Sequence, residues 1–188
     1  MSERLENIFQ IVSPDIANLE IYGHEIYNLL LLACTEFESQ CKGLLRAHSY
    51  VFGAKPSTAD YVKLCKPLRL DQYTFELAAY PARVSYQPFA QWDTALPTRS
   101  IVWYDIYNQV KHDREVNFPL GTLFHAIEAV AACAALVESQ FGVFGRGERP
   151  HVFERVFKLV KRPMWRPGQY FHAPRTRTEA WEAVCLSF

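Results

Sequence analysis

Leu120-Gly121-Thr122-Leu123-Phe124-His125-Ala126-Ile127-Glu128-Ala129-Val130-Ala131-Ala132-Cys133-Ala134-Ala135-Leu136-Val137-Glu138-Ser139-Gln140-Phe141 is the stretch whose reading decides the fold. Leu123, Ile127, Val130, Ala134 and Val137 recur at steps of three and four, the spacing of one helical face. Ala126, Ala129, Ala131, Ala132 and Ala135 make the helix thin, so neighbouring helices can pack close to its axis. Asn117-Phe118-Pro119 is the turn before it, and Gly142 to Pro150 reads as a linker after it.

Two further helices are expected to pack with this one. From roughly Leu19 to His48, Leu30, Cys34, Phe37, Cys41, Leu44 and Leu45 share a face, with Ser13-Pro14-Asp15 as the turn leading in. Pro97-Thr98-Arg99-Ser100 is expected to start another, in which Val102, Ile106 and Val110 face inward. Its other stripe carries Asp105, Asn108 and His112. Ser57-Thr58-Ala59-Asp60 has the form of a capping box and predicts a short helix ending at Pro67. Between 73 and 92 the pattern changes. Tyr73, Phe75, Leu77 and Ala79 alternate with their neighbours, and Val84 to Phe89 is aromatic and β-branched, which predicts two or three short strands. Val152 to Val160 fits a short helix or a strand equally well. The segment from Thr176, with Glu179 and Glu182, reads as a short capped helix. The expectation is therefore a mainly α, α+β fold: a helical bundle with a small antiparallel β insert, forming one domain over residues 1–188.

Composition sets the broad class. The chain is 49% apolar and 21% charged, which excludes a disordered chain, and its aromatic content is 14%. No apolar run approaches the roughly 20 residues a bilayer span needs, and the charged N-terminus lacks a signal-peptide layout. A cytoplasmic protein with no membrane role is expected. Cysteines 34, 41, 65, 133 and 185 form no C-x-x-C pair, so buried, reduced thiols are expected. The histidines are scattered without an i, i+4 pair, and there is no Gly-rich phosphate loop or G-x-S-x-G elbow. No metal or cofactor is expected.

Zero net charge hides an asymmetry. Residues 1–145 carry 11 Lys and Arg against 16 Asp and Glu, whereas residues 146–177 carry nine basic residues against two acidic ones. Arg155, Lys158, Lys161, Arg162 and Arg166 lie in this basic segment, near Trp165, Tyr170 and Phe171. Cations among aromatic rings suit single-stranded nucleic acid. The same cations can also pair with the acidic N-terminal part, where residues 1–39 carry seven acids and only Arg4. The densest polar cluster is Tyr107-Asn108-Gln109-Val110-Lys111-His112-Asp113-Arg114. His112 can move protons near neutral pH, Asn108 can orient it, and Lys111 and Arg114 can hold a phosphate. Cations in a last turn also oppose the helix dipole, which supplies a structural role for the same residues.

A long N-terminal helix, a helix bearing Trp103, Tyr107, Asn108, Lys111, His112 and Arg114, and then an alanine-rich helix together resemble the HEPN superfamily. The resemblance covers roughly 19–48 and 99–141. It does not extend to the β-rich insert or the C-terminal third. It implies a helical bundle, commonly a homodimer, that is either a metal-independent ribonuclease or a non-catalytic nucleic-acid-binding domain. Catalytic members carry an Arg four to six residues before the His, where this chain has Ile106, Tyr107 and Asn108. The first expectation is accordingly a non-catalytic protein that binds RNA, a nucleotide or an acidic partner through Lys111, His112, Arg114 and the basic segment. The second is a ribonuclease using His112, with Asn108 in support. A third is a structural homo-oligomer with no nucleic-acid role.

Overall fold

The structure, a computed structural model, describes residues 1–80, 84–141 and 152–164. Its α-helices are α1 (Ser2–Ile11), α2 (His24–Ala47), α3 (Thr58–Tyr61), α4 (Val102–His112), α5 (Arg114–Asn117) and α6 (Leu123–Phe141). Three strands, β1 (Thr74–Leu77), β2 (Ser85–Tyr86) and β3 (Phe157–Lys161), form an antiparallel sheet in the order β2-β1-β3. The fold is thus mainly α with a small sheet, as the periodicities predict.

The core is built on α2 and α6, which run parallel. The Cys133 thiol of α6 donates to the Ala33 carbonyl of α2 at 3.3 Å, and the chain just ahead of α2 bridges that just ahead of α6 at Tyr22 and Thr122. Every alanine from Ala126 to Ala135 is buried, so the thin face does meet its neighbours closely. Leu30, Cys34, Phe37, Cys41, Leu44 and Leu45 are all buried on α2. Phe37 sits in an aromatic cluster with Tyr61, Phe89, Trp92, Trp103 and Tyr104, at centroid separations of 5.1–6.2 Å. By length and a mean hydropathy of 1.2, α6 is apolar enough to cross a bilayer, contrary to the composition-based expectation. In this fold 67% of that stretch is buried inside the protein, where it forms the core helix.

Several boundaries differ from the expectation for identifiable reasons. The long helix starts at His24 instead of Leu19, because residues 19–21 serve a different helix. The Leu19 and Ile21 carbonyls accept from the Phe124 and Leu123 amides at 2.9 and 2.8 Å, satisfying the exposed N–H groups at the start of α6. Helix α6 itself begins at Leu123, and Phe118–Leu120 is a 3-10 turn. Helix α2 ends at Ala47, where Ser49 adopts a left-handed φ of 58° and the Tyr50 amide reaches back to Leu45. That position usually falls to glycine, so the sequence carries no stop signal there. Helix α4 begins at Val102, after a turn in which the Ser100 hydroxyl accepts from the Asp93 amide.

The inward stripe of α4 is also rotated. Val102 is 56% exposed and Ile106 is half-buried, while Trp103, Tyr104, Tyr107 and Val110 are buried. Three large rings bury more apolar area than two β-branched side chains, so they take the core side. The capping box at Ser57 and Asp60 is present, although α3 is a single turn that passes into a 3-10 turn at Val62–Leu64. Helix α1 was not anticipated. Its buried apolar residues are Leu5 and Ile8, and Met1 and Phe9 pack half-buried against the same core. Residues 152–161 hold both alternatives in sequence, a 3-10 turn at Val152–Arg155 followed by β3. Cys34, Cys41, Cys65 and Cys133 are free and buried. The linker, Arg166, Cys185 and the helix expected from Thr176 lie outside the described residues.

Candidate phosphate-binding corner

Helix α4 runs antiparallel to α2, so its C-terminus arrives at the N-terminus of α2. Midway, the Glu38 carboxylate of α2 accepts from Tyr104 Oη at 2.9 Å and from Tyr107 Oη at 3.3 Å. Lys42 stands 3.7 Å from the same carboxylate. Burial, reinforced by the Glu38 charge and hydrogen bond, pushes the Tyr104 phenol well above its ordinary value. Burial likewise raises Tyr107, partly offset by Lys111. Lys111 folds back along its own helix. Its ammonium donates to Tyr107 Oη at 3.0 Å and lies 4.9 Å from that ring's centroid. The Tyr107 contact raises the Lys111 pKa above that of an ordinary lysine. Lys111 therefore ties α4 to Glu38 through Tyr107.

Beyond His112 the chain turns sharply. The Asp113 carboxylate caps α5 by accepting from the Val116 amide at 3.3 Å, and Asn117 Nδ2 donates to the Gln109 carbonyl at 3.2 Å. This brace directs Arg114 across the start of α2. Its guanidinium lies 4.8 Å from the Tyr27 centroid and 5.5 Å from Phe118, and Nη2 hydrogen-bonds His24 Nδ1 at 3.1 Å. Phe118 completes the cluster against His24, Tyr22 and Tyr27, at centroid separations of 5.1, 5.7 and 5.6 Å. His24, Arg114, Glu115 and Phe118 line a shallow depression of about 370 Å³. Tyr22, at 52% exposed, stands beside it.

The residues proposed from the sequence are thus divided. Arg114 lies in this depression, and Lys111 is engaged with Tyr107. His112 is exposed at the end of α4, and Asn108 is half-buried one turn earlier. Neither has a side-chain hydrogen bond among the described residues. His125 stays at the start of α6, where its Nδ1 lies 2.9 Å from the Leu120 carbonyl and 3.0 Å from Thr122 Oγ1. Burial lowers its pKa. Arg155 pairs with Glu6 of α1 at 3.4 Å, an ion pair between the basic segment and the acidic N-terminal part. Lys158 lies opposite Glu76 across the β1–β3 ladder, and Lys161 lies opposite Thr74. Arg162 and Lys158 line a separate cleft of about 620 Å³ with Glu138 and Ala134 of α6. Leu123 and Glu138 are fifteen residues apart on α6, roughly 22 Å of helix, so the basic strand and Arg114 do not converge.

His24 is the site residue that sequence reasoning missed. It is 90 positions from Arg114, and no spacing rule links the two. Against family models, curated proteins and solved structures the chain gives no significant match.

Proposed function

We propose that this protein is a non-catalytic binding domain of HEPN-like character, engaging single-stranded RNA or a nucleotide at the Arg114 corner. The observation that carries this reading is the Arg114 guanidinium held on Tyr27 and Phe118 beside the exposed ring of Tyr22. A cation fixed on aromatic faces remains available to a phosphate oxygen, and a neighbouring open ring can stack a base. Arginine suits the task because its planar fork donates two parallel hydrogen bonds to phosphate. The exposed cations of β3 would extend the contact along a longer strand instead of building the site. The expected homodimer belongs to the same reading, and sedimentation velocity measures it.

Fluorescence anisotropy with labelled oligouridine in EDTA tests the proposal. Binding without cleavage is expected, weakening as salt is added through counterion release. Arg114→Ala should weaken it about tenfold or more, the size of one charge-assisted hydrogen bond, and should flatten the salt slope by about one unit. Tyr22→Ala should weaken it by a smaller factor with the salt slope unchanged. RNA binding that survives Arg114→Ala intact would sink the assignment. Cleavage that disappears in His112→Ala would instead establish the ribonuclease reading.

A further inference from the structure

We propose that His24 tunes Arg114: neutral His24 occupies one donor of the guanidinium, and protonated His24 frees that donor for an anion. The argument rests on hydrogen-bond roles. All guanidinium nitrogens are donors, so the 3.1 Å contact between Arg114 Nη2 and His24 Nδ1 requires a lone pair on Nδ1. The neutral imidazole protonated on Nε2 supplies that lone pair. The imidazolium has donors on both nitrogens and carries a positive charge, so it cannot accept this bond. Protonation and the Arg114 contact therefore exclude one another.

Release leaves Arg114 in place. Its stacking on Tyr27 and Phe118 does not depend on the charge of His24. What changes is the Nη2 donor, which His24 no longer occupies and which an anion in the depression lined by His24, Arg114, Glu115 and Phe118 can take. The charged groups around His24 are Arg114 and Glu115 of α5 and Glu25, the next residue of its own helix; the segment before α2 contributes Tyr22 and the 3-10 turn contributes Phe118. Arg114 and the positive end of α2 oppose a second cation at His24. An anion seated between the two side chains removes that opposition. By linkage, proton uptake then favours the anion as much as the anion favours proton uptake.

The inference rests on the Arg114 corner as the anion site, and the experiment separates the two. Oligouridine keeps constant charge between about pH 5.5 and pH 8, the range in which imidazoles as a class change charge. Its affinity should rise about fivefold more for the parent than for His24→Asn on going to the lower pH. Asparagine keeps an acceptor for Arg114 at every pH, and His24 is exposed, so folding is not at stake. Equal gains in the two proteins overturn the tuning while leaving the RNA site intact. Absence of RNA binding at both pH values overturns the site, and ligand-free NMR then decides the tuning alone. Arg114 guanidinium resonances that move with the His24 titration, and stay still in His24→Asn, support the tuning. Resonances indifferent to His24 overturn it.

Discussion

The Glu38 carboxylate joins α2 to α4, and a double-mutant cycle with Tyr104 measures how strongly. Tyr104 is 6% exposed, and its hydroxyl donates to Glu38 Oε1 at 2.9 Å. Removing the acceptor in Glu38→Ala strands that buried hydroxyl, at about 1–3 kcal/mol. Tyr107 loses a weaker 3.3 Å bond but keeps Lys111, so it adds little. The 3.7 Å approach of Lys42 is partly exposed and contributes about 0–1 kcal/mol. Glu38→Ala should therefore cost about 1–4 kcal/mol in urea unfolding followed by circular dichroism. Tyr104→Phe removes the donor and leaves a carboxylate with other partners, for about 1 kcal/mol. Because deleting both partners of a bond is far cheaper than orphaning one, the double variant should fall short of the summed single costs by about 1–2 kcal/mol. Additivity within about 0.5 kcal/mol would show that Glu38 does not bind Tyr104, and the reasoning that places α4 through this carboxylate would fail.

Further tests address the core and a buried acid. Phe37→Ala, at the centre of five aromatic contacts and fully buried, should cost about 3–5 kcal/mol and lower Tm by about 8–15 °C in calorimetry. Val102→Ala, 56% exposed despite its place in the apolar pattern, should change stability by less than about 0.5 kcal/mol; a core-sized loss would restore the Val102–Ile106–Val110 stripe. Burial pushes the Glu128 carboxyl up to about 7 from 4.5. Its folded pKa is the higher one, so its contribution is present in full below pH 4.5 and is lost as pH rises through 7. Between pH 5 and pH 8 the parent should accordingly lose about 1–3 kcal/mol more than Glu128→Gln; parallel pH profiles would place Glu128 in water.

Legibility followed the length of the periodic signal. Helices α2 and α6 span 24 and 19 residues, so their stripes repeat over several turns and were readable within a few residues. Helix α1 has ten residues and two buried apolar anchors, too short a pattern to stand out from a charged terminus. Along α4, two candidate stripes overlap at Val110. Which one faces α2 was settled by where the rings of Trp103, Tyr104 and Tyr107 could be buried. The strand pairing was half visible. Alternation marked β1, but its partner β3 lies some 80 residues on and pairs through backbone bonds that leave little trace in side-chain identity.

Amino-acid order by itself determined the class of the fold: the helical stripes, the alanine-thin axis, the capping box at Ser57 and the concentration of charge on either side of His112. Those features depend on neighbours a few residues apart, and such neighbours are set by covalent connection. Tertiary structure alone decided which charges act together. It paired Arg155 with Glu6 and laid Arg114 on Tyr27 and Phe118 against His24, whereas Lys111 meets Tyr107 within one turn of α4. Each contact outside the helical turn joins groups held on different elements, and what brings those elements together is burial of apolar area, which has no preferred direction along the chain.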